Sequence, residues 1–148
     1  MNWLFPPLCA ALLLSPSLAS ASGTVSMPPR EEEMASASAC AAYLRDRAAE
    51  DAQMAKPETL AEDGSRQTVS IEPISAGVED LGRGRARYAA RIWYVNGWPR
   101  PDLGQIEYRA TWEAHTYECR GRRLIAQQSS GFTSESYEPM PAASDAKQ

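Results

Sequence analysis

The sequence predicts an α+β domain: an antiparallel sheet of four or five strands with one N-terminal helix linked to it by a disulfide. Three observations carry that expectation. Residues 85–130 contain three runs with period-two apolar patterning, separated by turn-forming residues. Residues 31–55 form an alanine-rich stretch without Gly or Pro. Cys40 lies within that stretch, and Cys119 ends the middle strand run.

The chain opens on residues 1–21, which carry no charged side chain and are mostly apolar from Trp3 to Leu14. Ala19-Ser20-Ala21 then supplies a small-residue cleavage site, so this segment reads as a secretory signal peptide. No Lys or Arg precedes the apolar run. The run is too short, and too interrupted by Pro6, Pro7 and Pro16, to span a membrane. Cys9 follows Leu8 rather than a small residue, which argues against lipid anchoring. The expectation is an exported protein, periplasmic or at the cell surface, without a transmembrane segment. Loss of the leader leaves Cys40 and Cys119, and two cysteines in an exported chain read as one disulfide. Two free buried thiols are the other state open to them.

Residues 22–30 are small and proline-bearing, and read as a linker to a single domain over 31–138. The helix is expected over Glu31–Ala55. Its opening acids, Glu31 to Glu33, suit the positive end of a helix dipole, and Pro57 stops it. Its apolar stripe (Met34, Ala37, Ala41, Leu44, Ala48) is thin, so it needs a tether to be stable. Without one the segment would be mobile. Residues 57–67 read as a connection, Thr68–Pro73 as a short strand, and Ser75–Gly84 as a glycine-bearing loop.

The first main strand is Arg85–Val95, with Ala86, Tyr88, Ala90, Ile92 and Tyr94 inward. Asn96-Gly97 is a hairpin signal, but Pro99 and Pro101 follow, so Asn96–Gly104 is expected to be a loop. The second strand is Gln105–Cys119. Its apolar parity changes after Ala114, which predicts a bulge near His115. Arg122–Ser130 is the third strand, Phe132–Tyr137 has room for a short edge, and residues 139–148 read as a mobile tail.

Net charge is −4, with residues 67–138 balanced at nine acids and nine bases. That balance argues against nucleic-acid binding. His115, the single histidine, has no metal-ligand set around it in sequence and no Gly-x-Ser-x-Gly elbow to serve. No phosphate-binding glycine pattern opens a helix. No catalytic residue, cofactor or metal is therefore assigned. The arginine ladder Arg85, Arg87 and Arg91 reads as a solvated face paired across strands, with anion contact as the alternative. Trp93, Trp98 and Arg100 are the residue types that anchor protein contacts, and form the candidate binding patch. Trp98 could instead fold back over a sheet edge.

The strand Arg87–Tyr94, the run Tyr108–Trp112 and Glu118-Cys119 followed by Arg122-Arg123-Leu124 resemble the surface-adhesin protein E family of exported bacterial domains. The resemblance spans roughly residues 68–138. It implies a small antiparallel sheet with a flanking helix, used in surface adhesion. The family's closing tryptophan and second C-terminal cysteine have no counterpart here, so the resemblance leaves Cys40 as partner of Cys119. The expected function is a non-catalytic, adhesin-like interaction module that binds a protein or envelope component. The alternative is a small periplasmic hydrolase or ligand-binding protein using His115.

Overall fold

Two long strands, β6 (Arg85–Arg100) and β7 (Gln105–Arg120), form the axis of the molecule. The computed structural model describes residues 23–133 and 135–141. The signal-peptide expectation over 1–21 lies outside them. β6 and β7 pair antiparallel without a break, from Arg85 opposite Arg120 to Arg100 opposite Gln105. β8 (Arg123–Phe132) pairs with the C-terminal part of β7, and β9 (Ser136–Pro139) takes its place beside the N-terminal part. On the other flank, β4 (Arg66–Pro73) and β5 (Glu79–Gly82) share β6 in the same way. The edges are β3 (Lys56–Leu60) beside β4, and β1 (Gly23–Ser26) with β2 (Arg30–Glu33) beside β8.

The result is a nine-stranded antiparallel sheet with one helix, α1 (Ala37–Met54), among the described residues. The expectation of a four- or five-stranded α+β sheet is overturned. The added strands are short, charged or proline-bearing, and partners across the sheet decide their state. Glu31 to Glu33 illustrate this. Instead of opening a helix they pair with β8, where Glu33 meets Arg122 and Glu31 lies 3.6 Å from Arg123. Cross-strand charge complementarity outweighs a helix-dipole contact worth at most about 1 kcal/mol. The helix starts later, where the Ser36 hydroxyl accepts the Ala39 amide at 3.0 Å as an N-cap.

Several other boundaries move. The expected 22–30 linker contains β1, and the expected tail begins within β9. The expected connection 57–67 holds most of β3, where an irregular register between Lys56 and Thr59 accommodates Pro57. The expected loop Ser75–Gly84 ends in β5. The expected loop Asn96–Gly104 shrinks to a turn at Pro101–Gly104, closed by Leu103 N–H donating to Arg100 C=O at 3.0 Å. Pro99 sits in the strand because nothing pairs with the far flank of β6 beyond Gly97, so its missing N–H removes no ladder bond. Gly97 is needed in the strand itself: a Cβ there would lie 2.6 Å from the Tyr108 ring.

The bulge expected near His115 is absent, since both β7 ladders keep one register throughout. The apolar parity changes because β7 serves two faces. Ile106, Tyr108, Ala110, Trp112 and Ala114 point away from the helix, while Tyr117 and Cys119 point toward it.

The core lies between α1 and the near end of the helix-side face. Cys40 and Leu44 are fully buried against Tyr88, Ala90, Cys119 and Leu124. The Cys40–Cys119 disulfide is present, with Cα atoms 6.0 Å apart and a sequence separation of 79. It ties the first turns of a helix with a thin apolar stripe directly to the central strand.

Candidate functional site

The helix covers only part of the face it packs on. Even-numbered residues of β6 point to the helix side, and α1 sits over Ala86, Tyr88 and Ala90. The same face continues past the helix through Tyr94, Asn96, Trp98 and Arg100. Register places Trp98 opposite Glu107 on β7, and Glu107 opposite Tyr137 on β9. Two rows further in on the same face, past Asn96 and Arg109, Tyr94, Thr111 and Phe132 line up across β6, β7 and β8. Trp98 is 42% exposed, Tyr137 47% and Phe132 49%.

Trp98 is held between charged and polar neighbours rather than buried. The Arg109 guanidinium lies 5.8 Å from its ring centroid. A hollow of about 260 Å³ between Trp98, Glu107 and Arg109 lies on one side. A second, of about 250 Å³, is lined by Trp98 with Asn96, Gln67, Thr59 and Ser65. Arg100 Nη1 donates to Glu107 Oε2 at 2.8 Å, and Arg109 Nε to Glu107 Oε1 at 2.9 Å. These bonds, that from Arg100 first, hold the Glu107 carboxyl below the usual carboxylate range.

Strand alternation divides the candidate patch. Trp98 and Arg100 share the helix-side face and both contact the Glu107 region. Trp93, five positions from Trp98, points to the opposite face. There its Nε1–H donates to Glu72 Oε2 at 2.7 Å, and its ring lies 6.4 Å from that of Trp112. Arg91 stacks over both indoles, at 5.7 Å from Trp93 and 4.8 Å from Trp112. That cluster is closed on itself. The arginine ladder is also paired: Arg85 with Glu118, Arg87 with Glu79 and Arg91 with Glu72.

His115 lies on the helix side, only 7% exposed. It belongs to a polar cluster under α1 that the sequence reading missed. Asp51 is fully buried, accepts the Tyr88 hydroxyl at 2.9 Å and lies 3.3 Å from Arg47 Nη2. His115 Nε2 is 3.5 Å from Asp51 Oδ2 and makes no hydrogen bond. Burial, followed by donation to Asp51, pushes the Tyr88 phenol well above its ordinary pKa. A charged residue seven positions after Leu44, on the same buried helix stripe, was the available signal for Asp51. Beside this cluster is a cleft of about 520 Å³, lined by His115, Tyr117, Tyr43, Leu124, Gln128 and Met27 among others.

Among the described residues, no group of three or more His, Cys, Asp or Glu side chains is placed to hold a metal ion, and no helix is long and apolar enough to cross a membrane. No family model, curated protein or solved structure matches the chain.

Proposed function

We propose that this is an exported, non-catalytic interaction module, adhesin-like in use, that binds a protein or cell-envelope component at the Trp98 end of the helix-side face. The observation that carries the reading is the exposed Trp98 ring, fixed on a central strand between two hollows and braced by Arg109. A tryptophan on rigid backbone loses little conformational freedom on binding, so its apolar area is available to a partner. The uncharged apolar leader and the Cys40–Cys119 bridge support export. The resemblance of the strand region to the surface-adhesin protein E family supports the same reading.

A second reading is favoured by one observation, the Asp51–His115 pair beside the 520 Å³ cleft. A histidine and a carboxylate side by side at the wall of a cleft are the residue types of an acid–base site or a small-ligand pocket. Capture of components from the native envelope fraction separates the two. The interaction module predicts that Trp98→Ala loses the captured component and His115→Gln keeps it. The reverse pattern transfers the function to the cleft.

A further inference from the structure

We infer that the end of the helix-side face left uncovered by α1 is a binding site for a neutral oligosaccharide. The inference rests on the interaction-module reading and supplies its ligand class.

Geometry provides the first argument. Trp98 and Tyr137 flank Glu107 in one row across three strands. At about 4.8 Å between strands, the backbone positions carrying the two rings are separated by about 10 Å. Phe132 and Tyr94 flank Thr111 in a parallel row four residues along the strands, about 13 Å away and beyond the Asn96–Arg109 pair. The aromatics are thus spread over an open surface with polar residues between them. A dry protein–protein core instead gathers its apolar anchors at the centre of the patch. A sugar ring has a flat C–H face and a rim of hydroxyls. It matches isolated aromatic plates set among groups that both donate and accept.

Such groups are present. Gln67 Nε2 donates to Asn96 Oδ1 at 3.1 Å, which fixes both amides. The pair keeps a donor in the Asn96 amide nitrogen and an acceptor in the Gln67 carbonyl, beside Trp98. The Thr111 hydroxyl, in the Tyr94 row, can serve both ways. A sugar hydroxyl needs this two-way partnering, because each one is both donor and acceptor.

Charge supplies the third argument. The cations near Trp98 are already engaged: Arg66 with Glu58, Arg100 with Asp102 and Glu107, Arg109 with Glu107 and Glu135. A polyanion would have to displace carboxylates from these arginines, and a polycation would have to displace the arginines. A neutral ligand leaves the network intact and uses the planar groups at its margin.

The test is titration of the exported protein with two neutral tetrasaccharides, chitotetraose and cellotetraose, and with a heparin-derived tetrasaccharide, followed by isothermal titration calorimetry. Expected is saturable binding of at least one neutral tetrasaccharide with Kd of about 1 mM or tighter. Affinity falls by about tenfold or more in Trp98→Ala and returns in large part in Trp98→Phe, which keeps an aromatic plate. The return in Trp98→Phe separates a lost ring from a damaged fold. Failure of both neutral probes, tighter binding of the heparin fragment, or unchanged affinity in Trp98→Ala overturns the inference. If the neutral probes fail while envelope capture still depends on Trp98, the ligand class is wrong and the interaction module stands. If capture is also indifferent to Trp98, both readings fall.

Discussion

The two ends of the helix-side face are built from the same strands and put to opposite uses. At one end, β6 and β7 place Tyr88, Ala90 and Cys119 under α1, where Leu44 and Cys40 are fully buried. At the other end of the same face, Trp98 and Tyr137 stay exposed on either side of a buried Glu107. A single unbroken ladder therefore joins a core to a surface without a domain boundary. The lesson is mechanical. The covered end fixes the backbone of the open end, so an exposed tryptophan can be rigid without being buried.

The comparison breaks most readily at the disulfide. Closing a loop of 79 residues' separation is worth roughly 4 kcal/mol on the chain-entropy estimate. Cys119→Ser, or full reduction, should lower unfolding stability by about 2–5 kcal/mol, read from denaturant midpoints. A change within error would mean that α1 is held without its tether. Next in size is Leu44→Ala, expected to cost about 2–5 kcal/mol because the side chain is fully buried. A smaller effect follows from Tyr88→Phe, which removes one hydrogen bond to Asp51. The expected loss is about 1–2 kcal/mol by equilibrium unfolding, since the buried carboxylate keeps its contact with Arg47.

Acid should act on the sheet through its ion-paired carboxylates. Glu72, Glu107 and Glu118 all lie below the ordinary glutamate pKa. The chief causes are donation from Trp93, Arg100 and Arg120 respectively. Their folded values are depressed, so their contribution is complete above the unfolded value of about 4.3 and is lost as pH falls through the folded values. Melting temperature should hold steady from about pH 7 to about pH 5 and decline below about pH 4. Glu107→Gln should make that acid limb shallower, and an unchanged limb would remove Glu107 from the account.

Much of the central scaffold was legible in the sequence. Alternation in Arg85–Val95 and Gln105–Cys119 gives the two long strands, and the cysteine count gives the bridge. The short strands were not legible, because Glu31-Glu32-Glu33 has no strand character of its own. Its state is set by Arg122 and Arg123, distant in sequence and adjacent in the sheet. Asn96-Gly97 misled for a related reason. Its local turn preference yields to a ladder that continues on both sides, and to the Tyr108 ring that needs Gly97 beneath it. Cutting the strand there also concealed that Trp93 and Trp98 point to opposite faces. Asp51 has the local character of a solvated helix charge, and its burial depends on Tyr88 and His115, which only the sheet brings beneath the helix.

The smallest expected change in stability accompanies the largest expected change in function, and the two should be measured on the same proteins. Melting temperature and capture from the native envelope fraction, the assay of the proposed interaction, are compared for Trp98→Ala and Leu44→Ala, with capture assayed below both melting transitions. Trp98→Ala should leave stability within about 0.5 kcal/mol of the parent and lose capture. Leu44→Ala should lower the melting temperature and retain capture. Loss of both properties together in Trp98→Ala, or capture that survives it, would contradict the division of one sheet face into a covered core and an open recognition surface.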